Sequence, residues 1–287
     1  MNNSVISDPV FRQAVEAIDS GDLAALRNLV EAHPRLVQEP LDLPEGGYFQ
    51  HPYLIWFVAG NPIRTPMLPG NIAAVTRMLI GYVHRLAPGS FDRQIGYTMR
   101  LVATGRIPKE CGVQLQLIDL LLDAGARPEG VIDAIANGNP EAAAHLAGRG
   151  AKLSFAAAVG LGREDDVMRL AATAGQDEWD LALIVAAFRG DAGMIRFLLR
   201  GGAAVNDIPE DCQGFHGHAT ALHQAVSSGS QESVKLLVEA GADLGAKDRV
   251  YGGTPVDWAE YLQREEGTDQ GLRAKYREIE DYLRLHD

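Results

Sequence analysis

Aromatic residues are scarce in this chain of 287 residues, at 7% against 46% hydrophobic overall. Strands of a β-sandwich draw on aromatic and β-branched side chains, so the shortage disfavours that class and favours close-packed short helices. Cysteine is nearly absent. Cys111 and Cys212 stand about a hundred positions apart, which leaves neither a disulfide framework nor a Cys-x-x-Cys metal site and suits a reducing compartment. Long apolar runs are missing too: the longest, such as residues 53–60 and 181–188, fall far short of the roughly 18 residues a membrane span requires. The N-terminus lacks a basic start followed by an apolar stretch, so a cytoplasmic protein without a membrane partner is expected. Basic residues are in deficit, 26 against 38 acidic, for a net charge of -12. Such a molecule repels phosphate backbones, and nucleic-acid binding is disfavoured.

The deficit is uneven. Residues 61–109 carry seven basic residues against the single acid Asp92. Six of the seven are arginines, whose planar guanidinium fork suits carboxylates and phosphates. Arg64, with Arg93 and Arg100 further on, is therefore a candidate surface for an acidic partner segment or an anionic ligand. The remainder of such a stretch is expected to solvate exposed helix faces.

What the chain has in abundance is a repeat. The segment Thr220-Ala-Leu-His-Gln-Ala-Val-Ser-Ser-Gly-Ser-Gln-Glu-Ser-Val-Lys-Leu-Leu-Val-Glu-Ala-Gly-Ala-Asp breaks into a short helix, a Ser-Gly turn, a second helix and a Gly-Ala exit. Thr220 is placed to cap the first helix, Gly229 to make the turn, Val234, Leu236, Leu237 and Val238 to form a buried stripe, and Gly241 to end the second helix. Gly-Ala exits or their relics recur at Gly125-Ala126, Gly150-Ala151, Ala174-Gly175, Gly202-Ala203 and Gly241-Ala242, at intervals of 25, 25, 27 and 39.

This unit resembles the ankyrin repeat, whose period is about 33 residues. The signature survives as Thr220-Ala-Leu-His223-Gln-Ala225 and as Thr254-Pro-Val-Asp257-Trp-Ala259, and Leu54-Ile-Trp56 falls where Leu-x-His would stand. The resemblance implies an all-α fold, a solenoid of stacked helix-turn-helix units with some short hairpin fingers, in the irregular style of bacterial ankyrin proteins. Eight units are expected in one domain: a capping repeat at 9–40, two expanded and irregular repeats at 48–126 with connections at 61–70 and 105–112, abbreviated repeats at 129–175, regular ones at 178–248, and a C-terminal cap at 251–287. The family implies binding of other proteins, with no catalytic residue and no cofactor to carry over.

Further candidate binding residues are Trp56 in the second unit and a group in two fingers and the helix that follows. Gly214-Phe215-His216-Gly217-His218 lies in the long connection into the seventh unit, Tyr251 in the next finger, and Asp257 and Trp258 on the first helix of the last unit. Aromatic side chains there make anchors for a partner. His216 and His218 with His223 resemble a metal set, yet no acid or cysteine stands at diagnostic spacing, so no metal is expected. Asp257 near His216 raises acid–base chemistry only as a lesser reading beside a hydrogen bond to the hairpin. His223 is read as structural, tying neighbouring hairpins together. The sequence thus favours a non-enzymatic module holding a protein or peptide; the alternatives are a small-molecule binder or enzyme with a pocket at the irregular repeats and the His-rich finger, or an immunity or regulatory factor for a partner enzyme.

Overall fold

A computed structural model of the chain describes residues 6–42, 51–61, 64–210, 212, 214–265 and 269–286. Tyr48 and Asp287, expected as the start of the second unit and the end of the last, lie outside them. Among the described residues the regular structure is helical and no strand forms; an isolated β-bridge joins Asn61 to Thr65. The expected hairpin fingers are therefore turns, held by individual hydrogen bonds and not by paired strands. By its contacts the chain divides into two compact units, Met1–Lys152 and Leu153–Asp287.

In the first unit, helix Pro9–Ser20 starts on Asp8, whose carboxylate accepts the N–H groups of Val10 and Phe11. This cap satisfies two of the donors that a helix start leaves orphaned. Arg35 pairs with the same carboxylate at 2.6 Å, and its bond, resisted by burial, holds Asp8 down at about 2. Helix Leu23–Ala32 packs back on the first, burying Leu26 and Val30. The second repeat departs from the helix-turn-helix plan. Its first helix is a 3₁₀ segment, Leu54–Ala59, with every side chain buried, followed by the long helix Ile72–Leu86. In the third repeat, helices Phe91–Thr104 and Gln114–Asp123 flank the short helix Arg106–Glu110, which occupies the expected connection. Helices Val131–Ala136 and Pro140–Gly148 complete the unit.

The second unit is four helix pairs: Phe155–Leu161 with Glu164–Ala171, Gln176–Phe188 with Ala192–Arg200, Ala221–Ser227 with Gln231–Glu239, and Pro255–Glu265 with Gln270–His286. First helices of successive pairs pack on each other, as Phe155–Leu161 does on Gln176–Phe188 and that helix on Ala221–Ser227. Runs of alanine make this close approach possible. Ala156, Ala157 and Ala158, then Ala186 and Ala187, are all buried. The second helices contribute a narrower stripe than expected: Val234 and Leu237 are fully buried, whereas Leu236 and Val238 are half-buried.

The exits explain the uneven spacing. Gly241 has φ 89°, a left-handed backbone open to glycine at little cost, and this lets the Ala242 N–H turn back to the Leu237 carbonyl at 3.0 Å. The same bond closes Ala126 on Leu121, Ala151 on Leu146 and Ala203 on Leu198. At Ala174-Gly175 it is missing, because Gly175 is extended (φ -77°, ψ 170°) and opens helix Gln176–Phe188 instead. That relic is a helix start, not an exit.

Candidate functional site

The second unit carries a cavity of about 520 Å³ bounded by the turn 214–219, the turn 248–253 and helix Pro255–Glu265. Its construction begins with Asp248, a buried carboxylate with no lysine or arginine paired to it. Its Oδ1 accepts the N–H groups of Val250 (2.9 Å) and Tyr251 (2.6 Å), and its Oδ2 accepts those of Gly253 (2.9 Å) and the Trp258 indole (3.1 Å). Burial pushes this carboxyl up, but the four donors outweigh it and hold the pKa well below the usual range. One ionised side chain thereby shapes a whole finger and fixes the Trp258 ring. The finger is tied to its neighbour by the Arg249 N–H, which donates to the His218 carbonyl at 2.8 Å.

His223 anchors the same corner from below. Its Nδ1 accepts from the Thr220 N–H (3.3 Å) and lies 2.8 Å from the Thr220 hydroxyl, and its Nε2 faces the Gly253 carbonyl at 3.1 Å. Nδ1 must be the acceptor and Nε2–H the donor, so the ring is neutral, and burial lowers its pKa against the pull of the Gly253 bond. The turn 214–219 is pinned by Gln224, whose amide donates to the carbonyls of Phe215 and His216. Gly217 is required at its crossing, since a Cβ there would sit 2.3 Å from the Cys212 carbonyl oxygen. Cys212 itself is buried, and burial pushes its thiol up to about 11.

His216 has φ 46°, a left-handed conformation uncommon outside glycine. Its ring meets Trp258 edge-on at 5.3 Å and His218 at 6.0 Å. Burial, then the nearby His218, lowers its pKa, so His216 is neutral at neutral pH. Tyr251 is 81% exposed with its ring 5.7 Å from His218. His218 Nε2 lies 3.8 Å from Asp248, within ion-pair reach when protonated. Asp257 accepts the Thr254 N–H and hydroxyl, both at 2.8 Å, and lies exposed at the rim. It caps the helix, and these two bonds lower its pKa.

Of the sequence-predicted residues, His216, His218, Tyr251, Asp257 and Trp258 converge on this cavity. Phe215 does not. It is fully buried with its ring against Phe188 at 5.2 Å, a core residue without surface to offer a partner. Trp56 is likewise core: it is buried, its indole donates to the Gln94 carbonyl at 3.3 Å, and its ring lies 4.3 Å from Tyr97. Five lining residues, Tyr261 and Asp248 among them, were not sequence candidates. Tyr261, 59% exposed, stands three positions after Trp258 on the same helix face, and that spacing was the available signal. Asp248 looked like one more surface acid.

Arg64 stands apart from Arg93 and Arg100. Arg64 has its side chain only 3% exposed, paired with Asp19 and donating to the Phe57 carbonyl at 3.0 Å, so it is an internal strut where an anion-accepting surface residue was expected. Arg93 and Arg100 line a different cavity of about 570 Å³ in the first unit, with Arg127, Asp92 and Glu129. There Arg93 lies over the Tyr53 ring at 5.7 Å and Arg100 stands 3.5 Å from Asp133.

Among the described residues, no group of three or more His, Cys, Asp or Glu is arranged to hold a metal ion, and no helix is long and apolar enough to cross a membrane. No curated protein matches the chain. Residues 131–248 match the family model of ankyrin repeats, in three copies, modules that generally serve protein–protein interaction. The helix pairs, the Thr220–His223 cap and the Gly-Ala exits seen over this stretch agree with that match, and residues 131–248 belong to the ankyrin-repeat family.

Proposed function

We propose that the chain is a non-enzymatic binding module that holds a protein or peptide partner, with the cavity of residues 216–262 as its anchoring site. The observation that carries this reading is the pair of exposed tyrosines, Tyr251 and Tyr261, flanking a Trp258 already fixed by Asp248. Rigid aromatic side chains at a depression are what hot spots are made of, because they bury large area with little loss of conformational freedom. The reading treats the chain as a stack of eight units in a reducing, cytoplasmic setting, which the free thiols Cys111 and Cys212 suit, and without nucleic-acid partners.

A second reading puts an acidic segment or anionic ligand on Arg93, Arg100 and Arg127 at the cavity of the first unit. A third makes the cavity of residues 216–262 a small-molecule or catalytic pocket, favoured by its volume. Partner capture from the native cell separates them. The full chain is compared with a Tyr251→Ser/Tyr261→Ser variant and an Arg93→Glu/Arg100→Glu variant, at low and at physiological salt. Under our reading the tyrosine variant loses the captured protein and the arginine variant keeps it. The converse result, with capture that fades steeply as salt is raised, moves the site to the arginines, and a co-purifying small molecule with no protein favours the third reading.

A further inference from the structure

The surroundings of the cavity of residues 216–262 set it apart from a plain apolar depression. Along the sequence, residues 207–269 hold twelve acidic residues against four basic ones, and Asp248 and Asp257 line the cavity itself. None of the lining side chains is lysine or arginine; Tyr251, Trp258 and Tyr261 present aromatic rings, His216 a neutral imidazole, and His218 an imidazole 5.7 Å from the Tyr251 ring, 5.9 Å from Trp258 and 3.8 Å from Asp248. Ring faces carry a negative quadrupole that attracts cations, and the buried, ionised Asp248 places negative charge at the N–H edge of the Trp258 ring. The field therefore favours a positive ligand.

The hydrogen-bonding inventory narrows its kind. Both oxygens of Asp248 are already engaged by four N–H donors, so the acid supplies charge without an open acceptor. A primary ammonium is strongly hydrated and carries three donors, for which the lining offers the imidazoles of His216 and His218 and Ser227 but no uncommitted buried carboxylate. Asp257 lies exposed at the rim, where water shares its charge. A methylated ammonium has no donor to satisfy and sheds its water readily, and about 520 Å³ also admits the alkyl stem behind it. Resting on the reading that the cavity takes part of a partner polypeptide, we propose that it receives the trimethylammonium head of a methylated lysine, held against Trp258, Tyr251 and Tyr261 within the acidic surround.

The test follows the Trp258 indole N–H resonance of the full-length, isotope-labelled chain, assigned with Trp258→Phe. The chain is titrated with an otherwise uncharged short peptide carrying one trimethyllysine. Three controls are the same peptide with unmodified lysine, the same peptide with the neutral tert-butyl carbon isostere, and tetramethylammonium alone. The trimethyllysine peptide is expected to bind about tenfold more tightly than the isostere or the lysine form, and Tyr251→Ala to weaken it about three- to tenfold. Tyr251 is a surface side chain, so its removal leaves the melting temperature in place, and Tyr261→Ala serves as an independent second variant. Equal binding of the neutral isostere overturns the charge argument and leaves the peptide-binding reading intact. Equal binding of lysine overturns the role of methylation. Tetramethylammonium as tight as the peptide overturns the polypeptide source in favour of a free small cation. If no probe moves the indole resonance the proposal falls, whereas the peptide-binding reading is judged separately by the capture experiment.

Discussion

Residues 61–109 and residues 207–269 are opposite in charge, yet the structure uses both charges first on itself. In the basic stretch Arg64 is sunk onto Asp19, Arg85 lies over Tyr82 at 4.7 Å, Arg93 over Tyr53, and Arg100 beside Asp133. In the acidic stretch the most buried carboxylate, Asp248, is wholly occupied in folding a finger. What differs is the remainder. The basic stretch leaves arginines in mixed company, with an acid and apolar side chains, at its cavity; the acidic one leaves exposed aromatic rings next to a fixed charge. A surplus of one sign along a sequence is thus a poor pointer to a site until the internal uses of that charge have been subtracted.

Substitutions at three positions sharpen the contrast. The largest effect is expected at Asp248→Ala, which strands four buried or half-buried donors and should cost about 3 kcal/mol in urea unfolding. Asp248 also gives the comparison a pH signature. Its folded pKa lies below the ordinary 3.8, so its contribution is complete above that value and is lost as the pH falls below it. Unfolding measured at pH about 5 and about 3 should therefore show a smaller acid loss for Asp248→Asn than for the parent. An identical loss in both would mean that the finger is held by something else. An intermediate effect, about 2 kcal/mol, is expected for Arg64→Leu, because a nearly buried ion pair and a bond to the Phe57 carbonyl are broken together. A neutral result there would return Arg64 to the surface role read from the sequence. The smallest effect belongs to Arg100→Ala. Its side chain is 59% exposed and its pair with Asp133 is long, so thermal unfolding should change by no more than about 0.5 kcal/mol.

Legibility in the sequence followed locality. Cap, turn and exit are written within a few residues, and so Thr220, His223, Gly229 and four of the five Gly-Ala exits are legible in the sequence, Ala174-Gly175 being the exception. Burial of a loop residue is not local. Phe215 and Tyr251 both stand in fingers beside glycine, and nothing adjacent in sequence says that one meets Phe188 while the other faces solvent. Arg64 misled for the same reason, its partner Asp19 being 45 residues away. Trp56 was judged by its place in the family signature, whereas its buried indole is committed to Gln94, 38 residues on.

The way the finger 248–253 is held has an evolutionary corollary. A hairpin paired along two strands constrains every side chain by register, but this finger is fastened at its base, by one carboxylate gripping main-chain N–H groups and one indole and by the backbone bonds of Asp248, Arg249 and Gly252. Val250 and Tyr251 project from it, exposed, with their backbones anchored and their side chains unconstrained by the fold. Mutation can therefore rewrite what this tip presents while the scaffold beneath stays as it is, a separation of heritable shape from heritable specificity of the kind that lets one lineage acquire new recognition partners by single-residue steps.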